Sequence, residues 1–408
     1  MSTPEPPVAH EDRRGLVRAG SVAFFLVGWS IVLMPALIRD VQAHFRADDA
    51  TMGGAYLFDS IAYIAGSIGI GVLTARGLRR PGLTSGGLLL ALGLVLCALS
   101  PAWAGFVVGF TIFGAGCGML DSGVNALFLD LHPRDAARPL SRLHLWLALG
   151  AFIGPVTTGR LVEAGVPWQA VLLGTAGAAA AIAGALALHA MPSGRRPRTA
   201  ADGHAGSAPG RRLRSAGASL YLPLAVLALG LGCYIAMEIG LSSWLVRYLE
   251  EADLGLATLS LSLFWGALAA GRAGATVLTR RFTPRAIAVG ASLACAGAIA
   301  GAVVMPDLGA RMVCFALAGL AAGPIYPMVM AVGGDLYPGR ANLVGSILAS
   351  IGVAGAIVYP PLMGVISETA GLAAAVVGAA ILAAATAPLV LAAVALGRRR
   401  ATPQPGIG

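Results

Sequence analysis

Twelve apolar runs, each roughly 20 residues or longer, leave this chain few folds to adopt. They lie near residues 17–38, 52–75, 83–101, 104–130, 141–163, 167–190, 220–246, 255–279, 285–305, 309–334, 341–366 and 371–396. A hydrocarbon core of about 30 Å is crossed by about 20 helical residues at a rise of about 1.5 Å each. A spanning barrel would instead need alternating segments of about ten residues, and the runs do not alternate. The expected class is therefore all-α integral membrane, with twelve transmembrane helices in contact with lipid.

Composition agrees: 57% of the 408 residues are hydrophobic, a further 56 are glycine, and 12% are charged. The formal charge of +9 is carried by arginine alone, since the chain contains no lysine. Nucleic-acid binding would need those arginines on one solvated face. They cluster instead in alternate loops: Arg13, Arg14 and Arg18; Arg76, Arg79 and Arg80; Arg134, Arg138 and Arg142; "GRRPR" and "GRRLR" in the 191–219 linker; "TRRFTPR"; Arg340; and the terminal "GRRR". The loops between hold scattered Arg39, Arg46 and Arg247, mostly beside acids. Arginine-rich loops stay in the cytoplasm, so a cell inner membrane location with both termini cytoplasmic is expected. The first run is too long for a signal-peptide core and is expected to remain as an anchor. Cys97, Cys117, Cys233, Cys295 and Cys314 all fall inside apolar runs, where they read as small hydrophobes and not as disulfides or metal ligands.

A repeat is visible. "DLHP" at 130–133 returns as "DLYP" at 335–338, an offset of 205 that also carries "VLTAR" to "VLTRR", Gly66 to Gly271, Pro155 to Pro360 and Gly159 to Gly364. Two six-helix halves, 1–190 and 220–408, joined by a basic linker at 191–219, are the expected organisation. Six is even, so the halves share an orientation and form a parallel repeat.

Twelve helices in two parallel halves with a long central linker resemble the major facilitator superfamily. The loop "GVLTARGLRR" (71–80) is similar to that superfamily's signature between its second and third helices, with Ala75 in place of the usual Asp and Leu78 in place of the usual Gly. Finer resemblance is to the fucose:proton symporter family. It rests on "GMLDSGVNALF" and "SRLHLWLALGAFIGP" in the fourth and fifth runs, "CYIAMEIGLSSWLVRYL" in the seventh and "FWGALAAGR" in the eighth. By this resemblance Asp121 and Asn125 face the substrate and Asp121 handles the proton, with Glu238 as the opposing polar group. The first run, "FFLVGWSIVLMPALI", lacks the acid that the fucose symporter has there.

The residues support a site on their own terms. A charged side chain at mid-bilayer costs about 2.5–3.5 kcal/mol to insert, so it faces the bundle interior. Asp121 and Asn125 are four apart and share a helix face. Glu238, with Tyr234 one turn before it and Ser242 one turn after, makes a polar stripe. Arg272 could balance a carboxylate or form a structural pair, Asp59 could gate or merely join helices, and His144 could relay protons or bond locally. Trp265 and Tyr326 could stack on a sugar face or simply pack, as could Trp29 and Tyr359; Tyr326 is the repeat counterpart of Asp121. Asp130 is expected to pair with a loop arginine such as Arg76, and Asp335 with one such as Arg281.

No nucleotide loop accompanies the glycine-rich stretches, which instead permit close helix approach. The expectation is a gradient-driven transporter, not an enzyme, needing no cofactor and acting as a monomer. It would carry a sugar or similar small polar metabolite together with protons. A proton-driven exporter is the alternative, drawing on "GAFIGPVTTG" (150–159), which resembles the Gly-Pro motif of drug:proton antiporters. A non-carrier membrane sensor is disfavoured by the lack of a soluble signalling domain.

Overall fold

The computed structural model describes residues 10–132, 137–192, 221–338 and 340–401. The linker from residue 193 onward and the part of the third basic loop that holds Arg134 lie outside the described residues. The described chain is helical: α1 (His10–Phe45), α2 (Asp49–Ala75), α3 (Arg79–Leu99), α4 (Trp103–Leu131), α5 (Ala137–Glu163), α6 (Trp168–Leu188), α7 (Leu222–Tyr248), α8 (Leu254–Leu278), α9 (Pro284–Val304), α10 (Leu308–Ala322), α11 (Ile325–Leu336), α12 (Ala341–Ala370) and α13 (Leu372–Ala401). These make twelve spans long and apolar enough to cross a membrane, with α10 and α11 sharing one.

That shared span departs from the continuous helix expected over 309–334. Residues 323–324 form a turn. Pro324 and Pro327 have no N–H to offer the preceding turn, so the ladder is interrupted just before Tyr326.

Helix ends follow local chemistry. Asp48 caps α2 by accepting from the Thr51 backbone N–H at 2.7 Å, and bonding to Thr51 holds its exposed carboxyl below the usual aspartate range. At the far end of α2, Gly77 has φ of +80°. The Leu78 N–H donates to the Leu73 carbonyl and the Gly77 N–H to the Thr74 carbonyl, the paired bonds of a Schellman cap. The signature loop thus places its glycine where the left-handed backbone requires it and leaves Leu78 to follow.

The described residues pack as two compact units. One comprises those of 1–196 with Ser242–Gly266 and Pro361–Thr369; the other comprises those of 197–241, 267–360 and 370–408. In the first unit a Cβ on Gly66 of α2 would strike the Ala115 carbonyl of α4, and one on Gly118 would strike the Tyr63 carbonyl. In the second unit a Cβ on Gly271 of α8 would strike the Leu320 carbonyl of α10, and one on Gly323 would strike the Leu268 carbonyl. Each of these four contacts recurs at the 205-residue offset, so the repeat reaches down to the backbone contacts between the second and fourth helices of each copy. Outward, α2 exposes Phe58, Ile61, Ile68 and Val72, an apolar stripe suited to lipid.

A testable contrast follows within α2. Gly66→Ala forces backbone apart and is expected to cost about 1–3 kcal/mol, whereas nothing lies within 4 Å of a Cβ at Gly69. In detergent, Gly66→Ala should lower the melting temperature by several degrees and Gly69→Ala should leave it within about one degree. Equal melting temperatures would contradict the tight α2–α4 contact.

Candidate functional site

In the first unit the interlocked glycines bring polar groups of α2 and α4 together inside the bundle. Asp59, Tyr63 and Ser67 recur every four residues on α2, facing Gly114, Gly118 and Asp121 on α4. The Tyr63 hydroxyl donates to Asp121 Oδ2. The Asn125 amide donates to Asp121 Oδ1 at 3.2 Å and to the Asp121 carbonyl at 3.0 Å. Asp121 therefore sits between a phenol and an amide, and His144 of α5 lies within electrostatic range of it. The His144 ring meets Phe24 of α1 edge-on at 5.5 Å. Asp59 lies one turn from Tyr63 in the same seam. One of its oxygens is buried without a hydrogen-bond partner and crowds against Gly114.

The second unit holds its own cluster, drawn from α7, α8 and α11. Arg272 of α8 approaches Glu238 of α7 at 3.8 Å, and Tyr234 and Tyr326 both interact electrostatically with Arg272 and Glu238. Tyr234 is completely buried, with its hydroxyl facing Glu238 and Arg272.

The other aromatics divide. Trp265 is buried edge-on against Phe264, with its indole N–H unpartnered. Trp29 donates to Thr175 at 3.2 Å and Tyr359 to the Ala375 carbonyl at 2.6 Å, so both serve packing. Asp130 pairs with buried Arg79, an arginine of the expected basic loop. Position explains this: Arg79 begins α3, beside the end of α4. All five cysteines are free, and among the described residues no cluster of His, Cys, Asp or Glu could hold a metal.

Sequence reasoning missed a third cluster, at the end of the bundle away from the basic loops and wholly within the first unit. Asp49 is 3% exposed. It accepts from Gln42 at 2.7 Å, Arg247 at 3.0 Å and Ser367 at 2.5 Å, while its backbone N–H donates to Glu368 at 2.9 Å. Arg39 gives its guanidinium to the carbonyls of Val246, near the end of α7, and of Leu249 and Ala252 in the loop that follows it. These groups border a cavity of about 480 Å³. Strong pairing thus ties the ends of α1 and α2 to segments of α7 and α12. The only signal in the sequence was that the arginines of these loops stand beside acids.

Comparison with known proteins places this geometry. The model of the Major Facilitator Superfamily matches residues 19–312. An uncharacterised MFS-type transporter of Yersinia pestis is 22% identical over 366 residues, covering 87% of this chain and 89% of that protein. The gentisate transporter of Corynebacterium glutamicum is 26% identical over 366 residues, covering 84% and 79% respectively. The solved structure of the Escherichia coli fucose:proton symporter has the same fold, with a TM-score of 0.62 at 21% identity over 92% of this chain and 98% of that one. Twelve spans, the polar seams they enclose and the extent of the family match agree: this chain belongs to the Major Facilitator Superfamily and is a multi-pass membrane transporter of a sugar or other small molecule.

Proposed function

We propose that this transporter is a proton-coupled symporter of a sugar or similar small polar metabolite, working by alternating access in the cell inner membrane with both termini in the cytoplasm. The observation that carries the reading is the Tyr63–Asp121–Asn125 cluster. A carboxyl deep in a span, held by one phenol and one amide, has the surroundings to take a proton and give it up again, because both partners can bond either form. The resemblance to the fucose:proton symporter supports the same assignment. In this reading Asp121 carries the proton, Asn125 and Glu238 contact substrate from the two repeats, Tyr234, Tyr326 and Trp265 complete the site, and Asp59, Arg272 and His144 gate it or tune its charge. The moving bodies are residues 1–190 and 220–408 joined by the 191–219 linker, and the working unit is a monomer.

The test is uptake of labelled sugars, fucose and glucose included, by proteoliposomes with an imposed pH gradient. Accumulation against the substrate gradient, abolished by a protonophore, is the expected result. Extrusion driven by proton entry would make the protein an exporter, and accumulation that follows sodium and ignores pH would overturn proton coupling.

A further inference from the structure

Arg272 differs from three other arginines of the bundle. Arg79 is 2% exposed and bonded to Asp130; Arg39 is committed to three carbonyls; Arg247 bonds Asp49 at 3.0 Å. The guanidinium of Arg272 has its nearest carboxylate oxygen, on Glu238, at 3.8 Å, beyond hydrogen-bonding distance. Its side chain is 45% exposed, against 11% for Glu238. An arginine turned to lipid at this depth would be costly, so the exposure reads as access to an aqueous space.

The backbone holds this charge in place. Gly271 and Gly323 let α8 approach the α10–α11 break so closely that a Cβ on Gly323 would strike the Arg272 N–H. The same break sets Tyr326 beside the guanidinium, and the buried Tyr234 hydroxyl lies against it from α7, interacting with both Arg272 and Glu238. Among the described residues the cluster therefore presents one exposed planar cation and one accessible phenol, Tyr326, with a single carboxylate, Glu238, standing 3.8 Å from the cation.

We infer that Arg272 and Tyr326 form a carboxylate subsite, with the buried Tyr234 behind them, and that the substrate is a hydroxylated carboxylate such as a sugar acid. A guanidinium matches a carboxylate with two parallel N–H···O bonds, and a phenol supplies a third donor to the same oxygens. At 3.8 Å Glu238 accepts no hydrogen bond from the guanidinium, so the paired N–H donors stay open to an incoming carboxylate. This inference rests on the transport reading above and narrows its substrate class.

The experiment uses the full-length protein with labelled glucuronate and galacturonate set against glucose and galactose, in two formats. In detergent, intrinsic tryptophan fluorescence titration reads binding without any gradient. In proteoliposomes, uptake is measured with and without a pH gradient. The expected result is binding of a uronate at least tenfold tighter than its parent hexose. Arg272→Gln should weaken that preference at least tenfold, and Arg272→Lys, which keeps the charge but loses the paired geometry, should weaken it by an intermediate factor. A melting temperature within a few degrees of the unsubstituted protein shows that the variants fold. Hexose binding and uptake with no competition from uronates would overturn the carboxylate subsite and leave the transport reading standing. Wild-type uronate affinity in Arg272→Gln would also overturn it. Failure of every compound to bind or move would overturn both.

Discussion

Asp121→Asn is expected to eliminate uphill uptake while leaving substrate exchange intact. The amide keeps the shape of the protonated carboxyl and can still bond Tyr63 and Asn125, whose donors now meet Asp121, so the fold and the binding site are preserved. It cannot release a proton, and the two fluxes come apart. One pH unit is worth about 1.36 kcal/mol per proton, which sets roughly tenfold accumulation for one proton per substrate. The parent protein in proteoliposomes should approach that ratio, whereas the variant should stop at equal concentrations inside and out. Its exchange of labelled for unlabelled substrate should stay within about twofold of the parent. Retained accumulation together with proton entry would remove Asp121 from coupling and transfer the role to Glu238 or Asp59.

Asp49→Ala should open the end of the bundle away from the basic loops. Removing the carboxylate leaves Arg247, Gln42 and Ser367 without their shared acceptor. Breaking a buried pair costs about 3–5 kcal/mol. Arg247 is 28% exposed and also reaches Glu250, so the lower end applies, a shift of roughly a hundredfold in the balance between tied and released forms. A single cysteine at Ala252, 5% exposed next to the Arg39 contact, reads this out in a cysteine-free background. Its reaction with an impermeant thiol reagent should be slow with Asp49 present and at least tenfold faster in Asp49→Ala, with Asp49→Asn between. Equal rates would mean that the cluster is structural and does not hold this end shut.

Asp49 also shows the limit of local reading. Its partners Gln42, Arg247, Ser367 and Glu368 come from three separated parts of the chain. No spacing rule connects them, because they meet only when α1, α2, α7 and α12 are packed. Asp121 and Asn125 were readable because a pair four residues apart on one helix is set by helical geometry alone. Tyr63, which completes that site, was not read, since its place opposite Asp121 depends on Gly66 and Gly118 drawing α2 onto α4.

Properties that depend on a residue and its near neighbours were determined by the amino-acid sequence itself. They include twelve spans from run length, the repeat from a constant offset, the superfamily from its loop and helix patterns, and an intramembrane acid from the cost of placing one there. Tertiary structure decided the rest: the choice of Arg79 as partner for Asp130, the break before Tyr326 that seats it by Arg272, and the binding of Arg39 to the end of α7. In lipid a polar side chain takes whichever partner the packed helices bring within about 3 Å. Which partner that is depends on helix rotation and close approach, and both are settled by the summed packing of many small side chains, beyond the reach of any single motif.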